Sequence, residues 1–191
     1  MHKVKTISTC KNKSIFMITK NVLNKFLKLA IDQLNGDWIV IGGTVLPLSG
    51  VDFRVTTDID FIKLDFNANN SETLKLMEIA ESLKLPVETI NQSGAYFLSK
   101  VEDIQQNLVL LEASKKCKIY RPNIYLFIKL KLERLSSTDL EDCIQMIKHH
   151  SEEFELFKDK IIKTIKQKLQ IKSPSQEKGQ RMQKLFEICS N

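Results

Sequence analysis

The stretch over residues 38–63 constrains the fold most, because a glycine pair and a carboxylate pair follow one another there on two strand-like runs. Residues 38–41 form a β-branched and aromatic run that stops at Gly42 and Gly43, as a buried strand stops at a turn. Two successive glycines allow the backbone to approach another group closely. Residues 44–48 then predict a short helix with Thr44 as its N-cap. A strand, a Gly-Gly turn and a helix N-terminus together favour phosphate binding.

The second half of the stretch carries the carboxylates. Residues 57–62 alternate between polar and apolar side chains, which is the pattern of a half-buried strand. On such a strand Asp58 and Asp60 lie on one face, while Ile59, Phe61 and Ile62 supply the core. Two neighbouring carboxylates repel each other unless a cation lies between them, so the pair predicts a Mg²⁺ site. The alternative is a solvated strand face beside an ordinary tight turn.

The two halves together resemble a known signature. Gly42-Gly43-Thr44 followed by Asp58-Ile59-Asp60 is similar to the pattern of the nucleotidyltransferase superfamily, in which a Gly-Gly or Gly-Ser turn precedes an acidic-hydrophobic-acidic strand. Within that superfamily, the AbiEii-type toxin nucleotidyltransferases and related uncharacterised bacterial proteins are most similar to the segment Arg54-x-Thr56-Thr57-Asp58-Ile59-Asp60-Phe61. The resemblance covers residues 36–145.

This resemblance implies the transfer of a nucleoside monophosphate from a nucleoside triphosphate (NTP) to a hydroxyl of RNA or protein, with pyrophosphate as the leaving group. It implies that Asp58 and Asp60 hold one or two Mg²⁺ ions, as in two-metal phosphoryl displacement. It also implies that Gly42, Gly43 and Thr44 cradle the triphosphate through backbone N–H groups and a hydroxyl. A toxin-like component of a two-component system would have a cognate antitoxin protein as its partner.

Further candidate residues lie around this pair. Arg54 precedes Asp58 by four residues, where its guanidinium could contact phosphate, pair with a carboxylate or form a surface salt bridge. Many members of the superfamily use a third carboxylate from a later strand. Glu88 is the best-placed candidate for that catalytic role and Glu112 the second, and the alternative for each is a surface acid.

A second group of candidates comes from the helical part of the chain. Lys131 and Arg134, followed by Asp139 and Asp142, are similar to the AbiEii-type pattern of a lysine on one helix and an Arg…Asp-x-x-Asp run that opens the next. The resemblance implies that Lys131 contacts phosphate, while Asp139 and Asp142 orient it or lie at the edge of the site. Alternatively, Asp139 simply favours a helix N-terminus and Lys131 is solvated.

The fold class follows from composition and periodicity. The chain of 191 residues has only 6 Gly and 4 Pro, which argues against a turn-rich all-β fold. We expect an α+β fold in which a small mixed sheet is flanked by helices, with a nucleotidyltransferase-like core over residues 1–120 and a helical region over residues 121–191 packed on it. Beyond the two strands above, strands are predicted at residues 85–90, 108–111 and 118–120, and an apolar turn or short strand at 95–98.

Helices are predicted at residues 19–34, 71–83, 125–135 and 138–149, with a Lys-rich helical remainder from residue 151 that is interrupted at residues 173–175. Ser71 is the expected cap of the second of these helices. Thr138 and Glu141 are expected to form a capping box at the start of the fourth.

Charge and cysteine content bear on partners and location. The net charge of +6 favours a polyanionic partner such as tRNA or another RNA, although excess lysine also serves solubility. The four cysteines form no CxxC pair and predict neither a zinc site nor a disulfide framework; they are Cys10, Cys117, Cys143 and Cys189. The sequence has no apolar run of signal-peptide or transmembrane length, so we expect a cytoplasmic protein with no membrane association.

Three functions therefore remain open at this stage. The first is a Mg²⁺-dependent nucleotidyltransferase, and the second is a non-catalytic protein of the same fold that binds nucleotide, nucleic acid or a partner protein. The third is an interaction module whose acidic strand holds no metal. The lack of an unambiguous third carboxylate favours the second and third.

Overall fold

The computed structural model describes residues 18–67, 69–170 and 175–191. Within them the chain forms five strands and eight α-helices, which confirms the α+β class. In chain order these are α1 (Lys20–Gln33), β1 (Gly36–Val40), α2 (Val45–Leu48), β2 (Ile59–Lys63), α3 (Asn70–Ser82), β3 (Ile90–Asn91), α4 (Ala95–Leu98), β4 (Leu108–Ala113), β5 (Cys117–Pro122), α5 (Ile124–Arg134), α6 (Ser137–His149), α7 (Ser151–Gln170) and α8 (Gln176–Ser190).

The five strands form one mixed sheet in the order β3-β2-β1-β5-β4. The central strand β1 pairs antiparallel with β2 and parallel with β5. β3 runs parallel to β2, and β4 completes the far side antiparallel to β5. At the end of β1, the Ile41 N–H donates a 3.0 Å hydrogen bond to the carbonyl of Asp60. The glycine turn that follows β1 and the acidic segment of β2 are therefore neighbours.

One face of the sheet is covered by α1 and α3. Trp38 of β1 stacks on Phe61 of β2 with ring centroids 5.0 Å apart, and Phe26 of α1 meets the same Phe61 ring edge-on at 5.2 Å. Ile59 is fully buried in this cluster. Such aromatic contacts add to the free energy gained by burial, so the pairing of β1 with β2 is strongly specified.

The opposite face of the sheet carries Asp60 of β2. Ile39 of β1 and Ile62 of β2 pack there against Leu98, at the end of α4, and Leu126 of α5. Since side chains alternate along a strand, Asp60 shares the face of Ile62 and lies toward α5. The prediction that Ile59, Phe61 and Ile62 are core residues is confirmed.

Helices α5 to α8 pack around a second core. Phe127 of α5, Cys143 of α6, Ile161 of α7 and Leu185 of α8 are all buried in it. The same cluster includes Leu46 of α2, so the C-terminal helices contact the segment directly after the glycine turn. None of the helices in the described ranges has the length and apolar character needed to cross a bilayer.

Two predicted helix caps are wrong, for the same reason. The cap of α3 is Asn69 and not Ser71: Oδ1 of Asn69 accepts from the Glu72 N–H at 2.9 Å, and the Glu72 carboxylate accepts from the Asn69 N–H at 3.1 Å. The capping box of α6 pairs Ser136 with Asp139, two residues before the Thr138 box that the sequence pattern indicates. In both cases a competing polar residue slightly upstream makes the reciprocal pair and starts the helix earlier.

Two further segments differ from their predicted form. Residues 85–90 are not one strand, because Pro86 precedes a 3-10 turn over Val87–Thr89 and only Ile90–Asn91 pairs with β2. Residues 95–98 form the short helix α4. The interruption at residues 173–175 and Cys10 fall, in part or wholly, outside the described residues. The three described cysteines, Cys117, Cys143 and Cys189, are buried free thiols.

Candidate active site

A cleft opens where β1 ends and β2 begins, next to α5 and α6, and it has two parts. The first, which we call the polar cavity, has a volume of about 510 Å³ and is lined by Gly42, Gly43, Asp58, Lys131 and Arg134 among others. The second, the apolar cavity, has a volume of about 200 Å³. The two cavities share five lining residues, Gly42, Asp60, Asn91, Lys131 and Arg134, and so form one continuous cleft.

The two glycines allow two charged side chains to approach the turn. Gly42 has a positive φ of 65°, and a Cβ there would overlap the carboxylate of Asp60. A Cβ on Gly43 would lie 2.5 Å from a guanidinium nitrogen of Arg54, which is closer than real Cβ contacts. The close approach indicated by the glycine pair is therefore present, and the groups that approach are Asp60 and Arg54.

Thr44 ties the turn to the acidic strand. Its hydroxyl donates to the carbonyl of Asp58 at 2.9 Å and accepts from the N–H of Asp60 at 3.3 Å. The prediction that Thr44 caps a helix is wrong, because its side chain makes no capping hydrogen bond and its backbone is already helical. The fully buried hydroxyl instead fixes the backbone that carries both carboxylates.

Asp60 lies directly beside an amide. Asp60 and Asn91 are register partners in the parallel pairing of β2 with β3, and Nδ2 of Asn91 donates to Oδ1 of Asp60 at 2.7 Å. The Asn91 oxygen accepts from both the N–H and the hydroxyl of Ser93 at 2.9 and 2.7 Å, so its NH₂ group must face Asp60. Burial raises the pKa of Asp60, and the charge of Asp58 adds to this, whereas Asn91, Lys131 and Arg134 oppose it.

One wall of the cleft is formed by a network of five charged side chains, which we call the ion network: Arg54, Lys131, Arg134 and Asp139, which line the cleft, and Asp142 behind them. Arg54 donates hydrogen bonds to Asp142 from two nitrogens, Nε at 2.6 Å and Nη2 at 2.7 Å. Lys131 Nζ donates to Asp139 at 2.9 Å and to Asp142 at 2.7 Å. Arg134 makes a second two-point contact with Asp139, at 2.7 and 3.0 Å. The network ties α5 and α6 to the loop that precedes β2.

A sharp turn between α5 and α6 makes this network possible. Leu135 ends α5 in the left-handed conformation with φ of 45°, and Ser136 begins α6 immediately afterwards. The turn brings the last residues of α5 against the first residues of α6. Burial would raise the pKa of Asp139, but hydrogen bonds from Arg134, Lys131 and the Ser136 backbone hold that pKa well below its usual range.

The network leaves cationic charge facing the cleft. It contains three cations and two carboxylates, and Arg134 is its most exposed member, with 74% of its side chain accessible. The pKa of Arg54 is raised, chiefly by its hydrogen bonds to Asp142. A positively charged cleft floor next to two carboxylates is suited to a ligand that is anionic and arrives with a metal ion.

The structure brings most of the candidate residues together. Asp58, Asp60, Gly42, Gly43, Arg54 and Lys131 line the polar cavity, and Asp139 lines the apolar one. Thr44 and Asp142 lie directly behind these residues. Glu88 stands apart: its side chain is exposed on the 3-10 turn before β3, and it does not line either cavity. Glu112 is exposed on the edge strand β4, two strands from β1.

Several residues of the cleft are not site candidates from the sequence, among them Asn91, Phe97 and Arg134. The predicted third strand stopped at residue 90, one position before Asn91. Residue 91 is the register partner of Asp60 in the parallel pairing of β3 with β2, so a strand one residue longer would have placed Asn91 next to Asp60. Arg134 belongs to the motif in the helical part of the chain, but the motif assigns it no role in the site. Its side chain is exposed while its partner Asp139 is buried, and this arrangement depends on the turn between α5 and α6.

The donor set fits Mg²⁺. Within the described residues, no three His, Cys, Asp or Glu side chains are grouped as they would need to be to hold a metal ion. Asp58 and Asp60 supply two carboxylates, and Mg²⁺ is commonly held by one or two carboxylates together with water and substrate phosphates. The residues present therefore suit a Mg²⁺ ion that binds along with a nucleotide.

Comparison with known proteins gives one match. A family model described as "Nucleotidyltransferase of unknown function (DUF6036)" matches residues 15–188, which is most of the chain. No curated protein and no solved structure reaches the level of similarity required of a match. The match spans the glycine turn, the acidic strand and the ion network. The chain therefore belongs to this family of nucleotidyltransferases of unknown function.

Proposed function

We propose that the protein is a Mg²⁺-dependent nucleotidyltransferase that moves a nucleoside monophosphate from an NTP to a hydroxyl of RNA or protein. The observation that carries the proposal is the shared cleft, in which Asp58 and Asp60 face the glycine turn and the cations Lys131 and Arg134. Carboxylates, close backbone and cations around one cavity meet the needs of metal-assisted transfer at a phosphate.

Each group has a task in this proposal. Asp58 and Asp60 hold the metal, which supplies charge neutralisation on the phosphates when bound. Arg134, exposed at the cleft, attracts the triphosphate, while Lys131 is held in place by Asp139 and Asp142. The acceptor oxygen forms a bond to the α-phosphorus, the bond to the β-phosphate oxygen breaks, and pyrophosphate and a proton are released. Binding and orientation are the contributions of the chain.

The resemblance to AbiEii-type toxins extends the proposal to biological role. On that resemblance the protein is the toxin-like component of a two-component system, with a cognate antitoxin protein as partner. The net charge of +6 supports tRNA or another RNA as the acceptor. Toxicity on expression, lost in Asp60→Ala, would be the first sign of this role.

The proposal is tested by incubating the protein with each α-labelled NTP, Mg²⁺ and either total tRNA or lysate protein. We expect label to enter an acceptor with the wild type and not with Asp58→Ala or Asp60→Ala. Asp65→Ala is the matched control, because Asp65 is exposed beyond β2, where it pairs with Lys63. Transfer that persists in both cleft variants would contradict the metal assignment.

A second candidate function rests on Asn91. An amide and not a carboxylate stands beside Asp60, and among the described residues lining the cleft Asp58, Asp60, Glu133 and Asp139 are the only acids. Glu133 pairs with Lys168 and Asp139 with Lys131 and Arg134. A non-catalytic member that binds nucleotide, nucleic acid or a partner protein would need no third carboxylate. Mg²⁺-dependent NTP binding without any label transfer would favour this second function.

A further inference from the structure

We infer that the apolar cavity is the site of the nucleobase of the bound NTP, with Phe97 as its stacking surface. This inference rests on the proposed function, since it assigns the part of the nucleotide that the polar cavity does not hold. It names a base subsite on α4 and α5 for which the ligand is a flat aromatic heterocycle.

The two ends of the cleft differ in chemistry. The polar cavity carries both carboxylates, the glycine turn and hydroxyl-bearing side chains. The apolar cavity is bounded by Ile41, Phe97, Pro122, Phe127 and Leu130. A ligand that is charged at one end and largely apolar at the other, as an NTP is with its triphosphate and base, matches this division across the five shared residues.

The volume of the apolar cavity suits part of a ligand and not a whole one. At about 200 Å³, the apolar cavity is smaller than the roughly 300–1,000 Å³ typical of sites that hold a whole ligand. The adjoining polar cavity is larger, at about 510 Å³. The apolar cavity is therefore suited to part of a molecule whose remainder lies among the carboxylates and cations.

Phe97 is placed by the packing of α4 on the sheet. A Cβ on Gly94 would lie 2.5 Å from Cδ1 of Ile41 and 3.1 Å from Cδ1 of Ile62, so the start of α4 packs closely on these two side chains. This packing fixes Phe97 one helical turn later, at the edge of the cavity, where 45% of the residue remains exposed. The Phe97 ring meets the Tyr96 ring edge-on with centroids 5.4 Å apart, and its exposed part is available for stacking with a base.

Two polar groups that line the apolar cavity are used within the protein. Both lone-pair directions of the Asn91 oxygen are used by Ser93, and the carboxylate of Glu133 accepts from Lys168 at 2.7 Å. Recognition by stacking is tolerant of base identity, because every base has an aromatic face. We therefore expect all four ribonucleoside triphosphates to use this subsite.

The test compares the binding of the four ribonucleoside triphosphates with that of inorganic tripolyphosphate, each with Mg²⁺, by titration calorimetry. Tripolyphosphate occupies the polar cavity alone and has no base. We expect wild-type protein to bind NTPs more tightly than tripolyphosphate. Phe97→Ala should weaken NTP binding roughly 5- to 150-fold, which is the range expected for loss of one base-aromatic stack, and leave tripolyphosphate binding unchanged.

Two further variants separate stacking from general effects. Phe97→Tyr should retain the wild-type affinity for NTPs, whereas Phe97→Leu, whose side chain is apolar but not flat, should lose affinity as Phe97→Ala does. Leu156→Ala is the control: Leu156 is 82% exposed on α7 and lines neither cavity, so its loss should change NTP affinity by less than about threefold. Thermal unfolding checks that each variant is folded.

The outcomes distinguish this inference from the proposed function. Equal affinity for NTPs and tripolyphosphate, unaffected by Phe97→Ala, would overturn the base subsite and leave nucleotidyl transfer standing. NTP binding that is tighter than tripolyphosphate binding and requires Phe97, with no label transfer to any acceptor, would support the subsite and overturn the transferase activity. Absence of binding by both ligands would overturn both.

Discussion

Nδ2 of Asn91 donates a 2.7 Å hydrogen bond to Oδ1 of Asp60, across the parallel pairing of β3 with β2. The bond engages one oxygen of the carboxylate that we assign to metal binding, and it places an uncharged donor where an acidic residue would add a third negative charge. The protein alone should therefore hold Mg²⁺ weakly and bind it well only with the phosphates of a nucleotide.

We expect Asn91→Asp to strengthen divalent-ion binding in the absence of nucleotide, because it adds a carboxylate next to Asp60. Asn91→Ala, which removes the same hydrogen bond without adding charge, is the control. Calorimetric titration with Mg²⁺ or Mn²⁺ measures the difference. Equal affinity in the two variants would show that position 91 does not face the metal.

The glycine turn gives a second prediction. Gly42→Ala should destabilise the protein and reduce label transfer, since Gly42 has a positive φ and its Cβ would overlap the Asp60 carboxylate. Gly50→Ala is the matched control: its φ is 79°, and a Cβ there would meet nothing within 4 Å, so it bears only the conformational strain of about 1–2 kcal/mol. Urea unfolding and the transfer assay compare the two. Equal losses in both would contradict a special role for the approach of Asp60 to Gly42.

The Arg54–Asp142 pair gives a third prediction. Asp142 is fully buried and is bonded to both Arg54 and Lys131. Asp142→Asn should lower the free energy of unfolding by about 3 kcal/mol, because it removes the carboxylate that Arg54 pairs with and leaves Lys131 with Asp139 alone. Glu177→Gln, which breaks the exposed pair of Glu177 with Arg181, should cost less than about 0.5 kcal/mol. A similar cost for both would mean that the ion network does not hold α6 to the loop before β2.

Acid should weaken the same network. The pKa of Asp139 is well below its usual range in the folded protein, and its value in the unfolded chain is about 3.9. A lowered pKa stabilises the fold above the unfolded value, and this stabilisation is lost as the pH falls through and below about 4. The difference in unfolding free energy between wild type and Asp139→Asn should therefore be largest near neutral pH and shrink below pH 4. A difference that grows on acidification would have the wrong sign for this account.

The sequence predicts the framework well because periodicity and turn residues report local structure. The run at residues 38–41 and the helical pattern after residue 19 correspond to β1 and α1, and the alternating segment corresponds to β2, which begins at Ile59 and so leaves Asp58 just before the strand. Local pattern fails where two polar residues compete for one task, as at Asn69 and Ser71 or at Ser136 and Thr138. The partners of Thr44 and Arg54 lie 14 and 88 positions away, so no local pattern contains them.

The same limit explains why the sequence points to Glu88 as the third carboxylate although the residue beside Asp60 is Asn91. Glu88 stands near the predicted third strand, yet the residue that reaches Asp60 is Asn91, because the 3-10 turn over Val87–Thr89 delays the strand and shifts its register. A shift of this kind changes which side chain faces the neighbouring strand. The identity of the residue beside Asp60 is therefore a property of the folded sheet.

Paired labelling of the same NTP distinguishes nucleotidyl transfer from other reactions of the triphosphate. With α-label, Mg²⁺ and tRNA or lysate protein, we predict that label enters the acceptor and that Asp60→Asn abolishes this transfer. With γ-label, we predict that all label leaves as pyrophosphate and none enters the acceptor. Transfer of γ-label, or α-label transfer that survives Asp60→Asn, would contradict the account.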